Sequence, residues 1–222
     1  DAAGNQSTDN GLVLELDKTN PGITSVADGG DGNYRQGETI DLSVNAVETG
    51  LTVTSDLSVL DADYGTETFT DNGDGTYGFF LGLDNDMQEG SIGLGVTATD
   101  AAGNATTDNS LNLSLDKTAP VFTSVDDNGG DNTYKAGETV TLTAVLTETG
   151  LTVTSDLGVL DSDFGMETFT DNGDNTYTYT TAALDGGGNM QEGASIAVTV
   201  TATDAAGNQS TDNGLVLELD KT

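Results

Sequence analysis

The chain has 222 residues, 38 of them acidic and 5 basic, with no histidine and no cysteine, and its net charge is -33. With no basic patch, nucleic acid and anionic membrane are excluded as partners. The missing cysteine excludes disulfides and thiol chemistry. No apolar run reaches the roughly 18 residues of a membrane-crossing helix, so no direct membrane insertion is expected. Divalent cations are the natural counter-charge.

The chain is repetitive. Residues 1–19 recur unchanged at 204–222, and a close variant fills 100–118. A period of about 100 residues marks a tandem array of small domains. The expected division is a C-terminal strand fragment of a preceding repeat at 1–19, a complete repeat at 20–118 and a second at 119–222. Neighbouring near-identical repeats in the same chain are therefore its first partners. Each complete repeat opens with a proline, Pro21 or Pro120, after Asp-Lys-Thr. Proline fixes φ and removes a donor, which suits a stiff linker entering an edge strand.

The leading fragment carries Leu12, Leu14 and Leu16 on one face. It lacks the rest of its sandwich, so it is expected to fray or to dock as an added strand. In the first repeat, Ile40, Leu42, Val44 and Ala46 alternate with polar residues, as do Ile92, Leu94, Val96 and Ala98. Leu111, Leu113 and Leu115 close it. The second repeat offers the same sets at Val140–Leu146, Ile196–Ala202 and Leu215–Leu219. Between the last two sets, Val216 and Glu218 stand where Asn112 and Ser114 stand in the first repeat, which places that face outside. Period-two patterning with one apolar face reads as antiparallel, half-buried strands. The runs Asp71–Gly75 and Asp171–Asn175 read as tight hairpin loops. Strands are expected near 121–125, 138–147, 151–159, 166–171, 176–184, 194–203 and 214–220. About seven short strands per 100 residues predicts an all-β fold: tandem immunoglobulin-like β-sandwiches arranged end to end, without the disulfide.

Three motifs carry a resemblance. Thr-Ala-Thr-Asp-Ala-Ala-Gly-Asn at 201–208, Leu-Asp-Lys-Thr-Ala-Pro at 115–120 and Asp-Asn-Gly-Asp-Gly-Thr-Tyr at 71–77 resemble the bacterial immunoglobulin-like extender repeats of giant RTX adhesins. The resemblance covers both complete repeats and the leading fragment. It implies calcium-dependent spacers, extracellular on the bacterial cell surface, that hold a terminal binding module away from the cell. The chain departs from the RTX pattern in lacking tandem Gly-Gly-x-Gly-x-Asp nonapeptides; residues 29–33 resemble one once.

The loops are acidic. In a seven-strand sandwich alternate loops lie at opposite poles, and stacked repeats bring the carboxyl pole of one against the amino pole of the next. At the 116–120 junction, the first repeat supplies Asp28, Asp31, Asp84, Asp86, Glu89 and Asp116, and the second supplies Glu148, Asp204 and Asn208. One junction earlier, Asp17 stands with Glu48, Asp100 and Asn104; the second repeat's own carboxyl pole holds Asp127, Asp131, Asp185, Glu192 and Asp220. Carboxylates, amides and glycine-rich carbonyls form a hard-oxygen environment suited to Ca²⁺. Zinc and copper are disfavoured without histidine or cysteine. The bland reading of any one such Asp is a turn former, and it is favoured for Asp71, Asp74, Asp171 and Asp174.

Catalysis fits poorly. The pairs Asp61/Asp63 and Asp161/Asp163 invite a glycosidase reading, but that chemistry needs a cleft across which two carboxyls flank a sugar. No enzyme activity is expected. The leading expectation is a calcium-rigidified spacer, a monomeric rod. The alternative is a binding module whose immunoglobulin-like domains themselves recognise a glycan or protein.

Overall fold

The computed structural model describes residues 2–4, 6, 11, 16–185 and 189–221. They form two compact units, one built mainly from residues up to 114 and the other mainly from 115 onward. In the first, the strands are β1 (Ile23–Ala27), β2 (Asn33–Tyr34), β3 (Thr39–Ala46), β4 (Thr52–Asp56), β5 (Thr66–Thr68), β6 (Thr70–Asp71), β7 (Thr76–Gly82), β8 (Gly90–Thr99) and β9 (Ala105–Leu115). In the second they are β10 (Phe122–Asp126), β11 (Thr133–Lys135), β12 (Thr141–Leu146), β13 (Thr152–Asp156), β14 (Met166–Thr168), β15 (Thr170–Asp171), β16 (Thr176–Thr180), β17 (Gly193–Thr203) and β18 (Gln209–Asp220). Each unit has a four-stranded and a five-stranded sheet: β1-β3-β7-β6 with β2-β9-β8-β4-β5, and β10-β12-β16-β15 with β11-β18-β17-β13-β14. Both orders are those of an immunoglobulin-type sandwich with short strands added at the sheet edges.

The core follows the alternation. Ile40, Leu42 and Val44 of β3 are fully buried, as are Val140, Leu142 and Ala144 of the second unit. Leu215, Leu217 and Leu219 are buried while Val216 is 40% exposed, so the face that comparing repeats places outside is the exposed one. Of the leading fragment, Leu16 is 87% exposed; Leu12 and Leu14 lie outside the described residues.

Three departures from the sequence reading have physical causes. The strand expected over 151–159 stops at Asp156, whose carboxylate accepts the Gly158 N–H at 3.0 Å and starts the 3₁₀ turn Leu157–Val159. That turn carries Leu157 and Leu160 into the core, and Asp56 caps its counterpart, Leu57–Val59, in the same way. The strand expected over 166–171 is two strands in different sheets. The chain crosses over at buried Phe169, whose N–H still bonds to Val153 O at 2.9 Å. Finally, not all pairing is antiparallel: β11, which was not anticipated, runs parallel to β18, pairing Thr133–Lys135 with Glu218–Asp220.

Both units share a buried tyrosine that ties a strand to a loop. Tyr177 is fully buried; its hydroxyl accepts the Leu151 N–H and donates to Glu148 O, each at 3.1 Å. Tyr77 does the same with Leu51 N–H at 3.0 Å and Glu48 O at 3.4 Å. The tyrosine thus holds the loop that carries Glu48 or Glu148. Tyr177→Phe leaves a buried N–H without its acceptor, and we expect a loss of about 1–3 kcal/mol in the stability of the second unit. Urea denaturation of the variant checks this, and an unchanged midpoint refutes it.

Candidate metal centre

The 3₁₀ turn that buries Leu57 and Leu60 places the next residue, Asp61, in the interior at 0% exposure. A buried carboxylate must be satisfied. Asp61 Oδ1 accepts the Asp63 N–H at 3.1 Å, and Oδ2 accepts the Asp84 N–H at 3.0 Å. These two bonds draw the segment after the 3₁₀ turn against the β7–β8 loop. Asp61 also forms an isolated antiparallel bridge with Met87, and Asp84 Oδ1 accepts the Asp86 N–H at 2.8 Å. Carboxylate oxygens of Asp61, Asp63 and Asp84 consequently lie within 4.8 Å of one another. Two oxygens bound to one Ca²⁺ at about 2.4 Å lie at most about 4.8 Å apart, so the spacing fits a shared ion. The donors are all hard oxygens, as Ca²⁺ requires. The repulsion shows in Asp63, whose pKa is raised by Asp84 first, then by desolvation, Asp86 and Asp61.

The second unit repeats the device. Asp161, 1% exposed, accepts the Asp163 N–H at 3.1 Å and the Asp185 N–H at 2.8 Å. Here Asn189 takes the place of Asp86 and donates its amide to Asp163 Oδ2 at 2.9 Å. The first unit therefore brings one more carboxylate to this place.

A second acidic group lies where the chain enters each unit. In the second unit, Asn208 donates its amide to Asp116 O at 3.1 Å and to Asp204 Oδ2 at 2.9 Å. Burial, then Asp204 and Asp116, raise the pKa of Glu148. In the first unit Asp17, Glu48 and Asp100 line one depression. Asn104 donates to Asp100 Oδ2 at 2.8 Å and to Asp17 O at 3.4 Å. The Asn104 amide, ahead of the backbone N–H groups, lowers the pKa of Asp100.

The third group is the β10–β11 loop. Asp127 is 1% exposed, and its Oδ2 has no hydrogen-bond partner. Its Oδ1 accepts the Gly129 N–H at 3.2 Å, and Tyr134 donates its hydroxyl to Asp127 O at 3.1 Å. A buried carboxylate oxygen without a donor is costly unless a cation or proton meets it. Asp131 accepts the Thr133 N–H at 3.2 Å in the same loop, and Asp28 and Asp31 occupy the equivalent loop after β1. Glu89 and Glu192 are exposed beside the starts of β8 and β17, and Asp220 is exposed at the end of β18.

The structure thus brings Asp17, Glu48, Asp100 and Asn104 together, and likewise Asp116, Glu148, Asp204 and Asn208. It assigns Asp84 to Asp61 and Asp63 of its own unit. Those two were not among the candidate ligands read from the sequence. The signal available was an aspartate directly after an apolar Val-Leu pair, repeated at Val59-Leu60-Asp61 and Val159-Leu160-Asp161. Asp71, Asp74, Asp171 and Asp174 act as turn formers. Asp74 Oδ1, for example, accepts the Thr76 N–H at 3.0 Å and the Thr76 hydroxyl at 2.6 Å.

No protein-family model matches the chain, and no curated protein does. Among solved structures, it is similar to a Ca²⁺-stabilised adhesin with which an Antarctic bacterium reaches out and binds ice. Identity is 21%, over 92% of this chain and 49% of that one, with a TM-score of 0.47. It is similar to a 1.5-MDa bacterial ice-binding adhesin at 20% identity, over 90% of this chain and 63% of that one, TM-score 0.47. Fibronectin(III)-like modules of Clostridium thermocellum CbhA align at 14% identity over 88% and 92%, TM-score 0.46. The chain spans about half to two thirds of those two adhesin structures.

The raised pKa values carry a sign. A carboxyl whose folded pKa exceeds its unfolded value binds its proton more readily in the folded state, so stability falls as pH rises through that window. Asp63 and Glu148 are such groups. Asp74, Asp100, Asp108 and Asp174 are lowered, and their contribution is lost only as pH falls below the ordinary aspartate value. In chelator the melting temperature should therefore rise as pH is lowered toward the ordinary carboxylate range. With saturating Ca²⁺ the slope should reverse, because protons then compete with the ion. Melting curves at several pH values check both arms; equal slopes with and without Ca²⁺ refute a cation among these carboxylates.

Proposed function

We propose that the chain is a calcium-dependent structural spacer from an extracellular adhesin of a bacterial cell surface, in which bound Ca²⁺ stiffens tandem immunoglobulin-like domains. The observation that carries this reading is the buried aspartate of each unit, Asp61 and Asp161, drawing two further acidic residues to the same place in both repeats. A structural role for a cation follows from position. The clusters join loops to the ends of strands, so an ion there cross-links segments that no disulfide can. Extracellular calcium-binding modules hold their ion with dissociation constants of about 10⁻⁴–10⁻³ M, a range that loops of exposed carboxylates can reach. The tandem near-identity of the repeats fits a part whose job is length, and it motivates the proposal that these units project a binding module located elsewhere. Calcium at Asp17, Glu48, Asp100 and Asn104, and at Asp116, Glu148, Asp204 and Asn208, would tie the entering chain to each unit.

Two measurements test the proposal. Ca²⁺ at about 100 times its dissociation constant should stabilise a unit by about 2.7 kcal/mol per site. Chelation should therefore lower the melting temperature, and an unchanged melt in EDTA ends the calcium reading. Asp63→Asn should act in opposite directions: the calcium-free protein melts higher than wild type, since a repelling charge is gone, while the gain on adding Ca²⁺ shrinks. A variant that keeps the full calcium gain removes Asp63 from the ligand set. Small-angle scattering tests rigidity separately; a maximum dimension indifferent to Ca²⁺ removes the stiffening part alone.

A further inference from the structure

The repeats are most alike over 48–74 and 148–174, and they differ on one outer sheet face. In the first unit, β3 and β7 pair Asp41 with Phe80, Ser43 with Gly78 and Asn45 with Thr76. Across β7, Gly78 also pairs with Thr70 of β6. This is the solvent face, since the intervening Ile40, Leu42 and Val44 are buried. Phe80 stands on it at 70% exposure. Beside it, over Gly78, is a depression of about 710 Å³ lined by Asp41, Ser43, Asn45, Asn72, Gly78 and Phe80 among others.

The glycine is not required by the backbone. A Cβ at Gly78 would meet nothing closer than Leu42 O at 3.8 Å. Glycine inside a strand weakens it and marks places where something approaches closely. The second unit shows the alternative: Thr178 and Thr180 stand where Gly78 and Phe80 stand, Thr141 replaces Asp41, and Val145 replaces Asn45. There Thr141 and Thr180 bond to each other through their hydroxyls at 3.0 Å. The exposed aromatic ring and the carboxylate thus belong to one repeat only.

We infer that this face of the first unit is a binding site for a neutral carbohydrate, with the Phe80 ring stacking on a sugar ring and Asp41, Asn45 and Asn72 bonding to its hydroxyls. The polar groups are held in place: the Asn45 amide donates to Ser25 Oγ at 2.9 Å and the Asn72 amide to Thr76 Oγ1 at 3.0 Å. A net charge of -33 repels an anionic ligand. The volume lies in the range of small-ligand sites, about 300–1,000 Å³. An exposed ring beside fixed amides matches the apolar face and hydroxyl rim of a pyranose. This site is independent of the calcium clusters and goes beyond a purely structural role.

The test uses the whole 222-residue chain in saturating Ca²⁺, with ¹³C-labelled phenylalanine and ¹⁵N-labelled side-chain amides followed by NMR. The probes are neutral tetrasaccharides: β-1,4-glucan, α-1,4-glucan, β-1,4-linked N-acetylglucosamine and β-1,4-galactan. At least one should give saturable shifts at Phe80, Asn45 and Asn72 with a dissociation constant of about 0.1–10 mM. The double variant Gly78→Thr, Phe80→Thr installs the pair that the second unit already carries in the same strand, and should weaken binding about tenfold or more. Phe80→Tyr, which keeps the ring, should bind within about threefold of wild type. No saturable shift at about 20 mM of any probe overturns the inference. So does binding that survives in the double variant, or saturation of the same signals by a tetralysine peptide in place of the sugars.

Discussion

Like charges held closer than salt can screen them are the constraint on which this molecule turns. At physiological ionic strength the screening length is about 8 Å, and oxygens of Asp61, Asp63 and Asp84 sit within 4.8 Å. What holds them there is the apolar core. Leu57 and Leu60 are buried by the 3₁₀ turn, and Asp61 follows them inside. The backbone N–H groups of Asp63 and Asp84 satisfy Asp61, and in doing so deliver two further carboxylates to its side. Hydrophobic burial thus concentrates negative charge at a fixed place.

The two layers of the design divide the work. Threonine- and valine-rich strands make sheets whose inner faces supply a modest core, and the tyrosines at 77 and 177 pin the loops that carry Glu48 and Glu148. Loop carboxylates gather beside segments outside the sheets, at Asp17 in the first unit and Asp116 in the second.

Much of the fold was legible because the chain supplies its own comparison. Replacement of Val216 and Glu218 by Asn112 and Ser114 identifies the outer face of β18 from the sequence alone. Strand limits were not legible. The alternation in 151–159 continues through Leu157 and Val159, and only the side chain of Asp156 turning back on Gly158 ends the strand. β11 escaped notice because three residues in a glycine-rich, acidic loop show no periodicity. The grouping of Asp17 with Asp100 and Asn104 could be read from repeat order. The place of Asp61 could not, because the Asp61/Asp63 pair reads as two catalytic carboxylates without a cleft; its grouping with Asp84 depends on burial, a property of the neighbouring leucines.

The short parallel pairing of β11 with β18 has a mechanical consequence. β18 is the last strand of its unit, and β11 lies near the entry of the chain. Tension drawn through a unit from its first strand to its last pulls these two past one another along their length. The bonds between Thr133–Lys135 and Glu218–Asp220 are evenly spaced and run across the strands. They share such a load in shear and must break together, whereas a hairpin pulled at its open end would surrender its bonds one at a time.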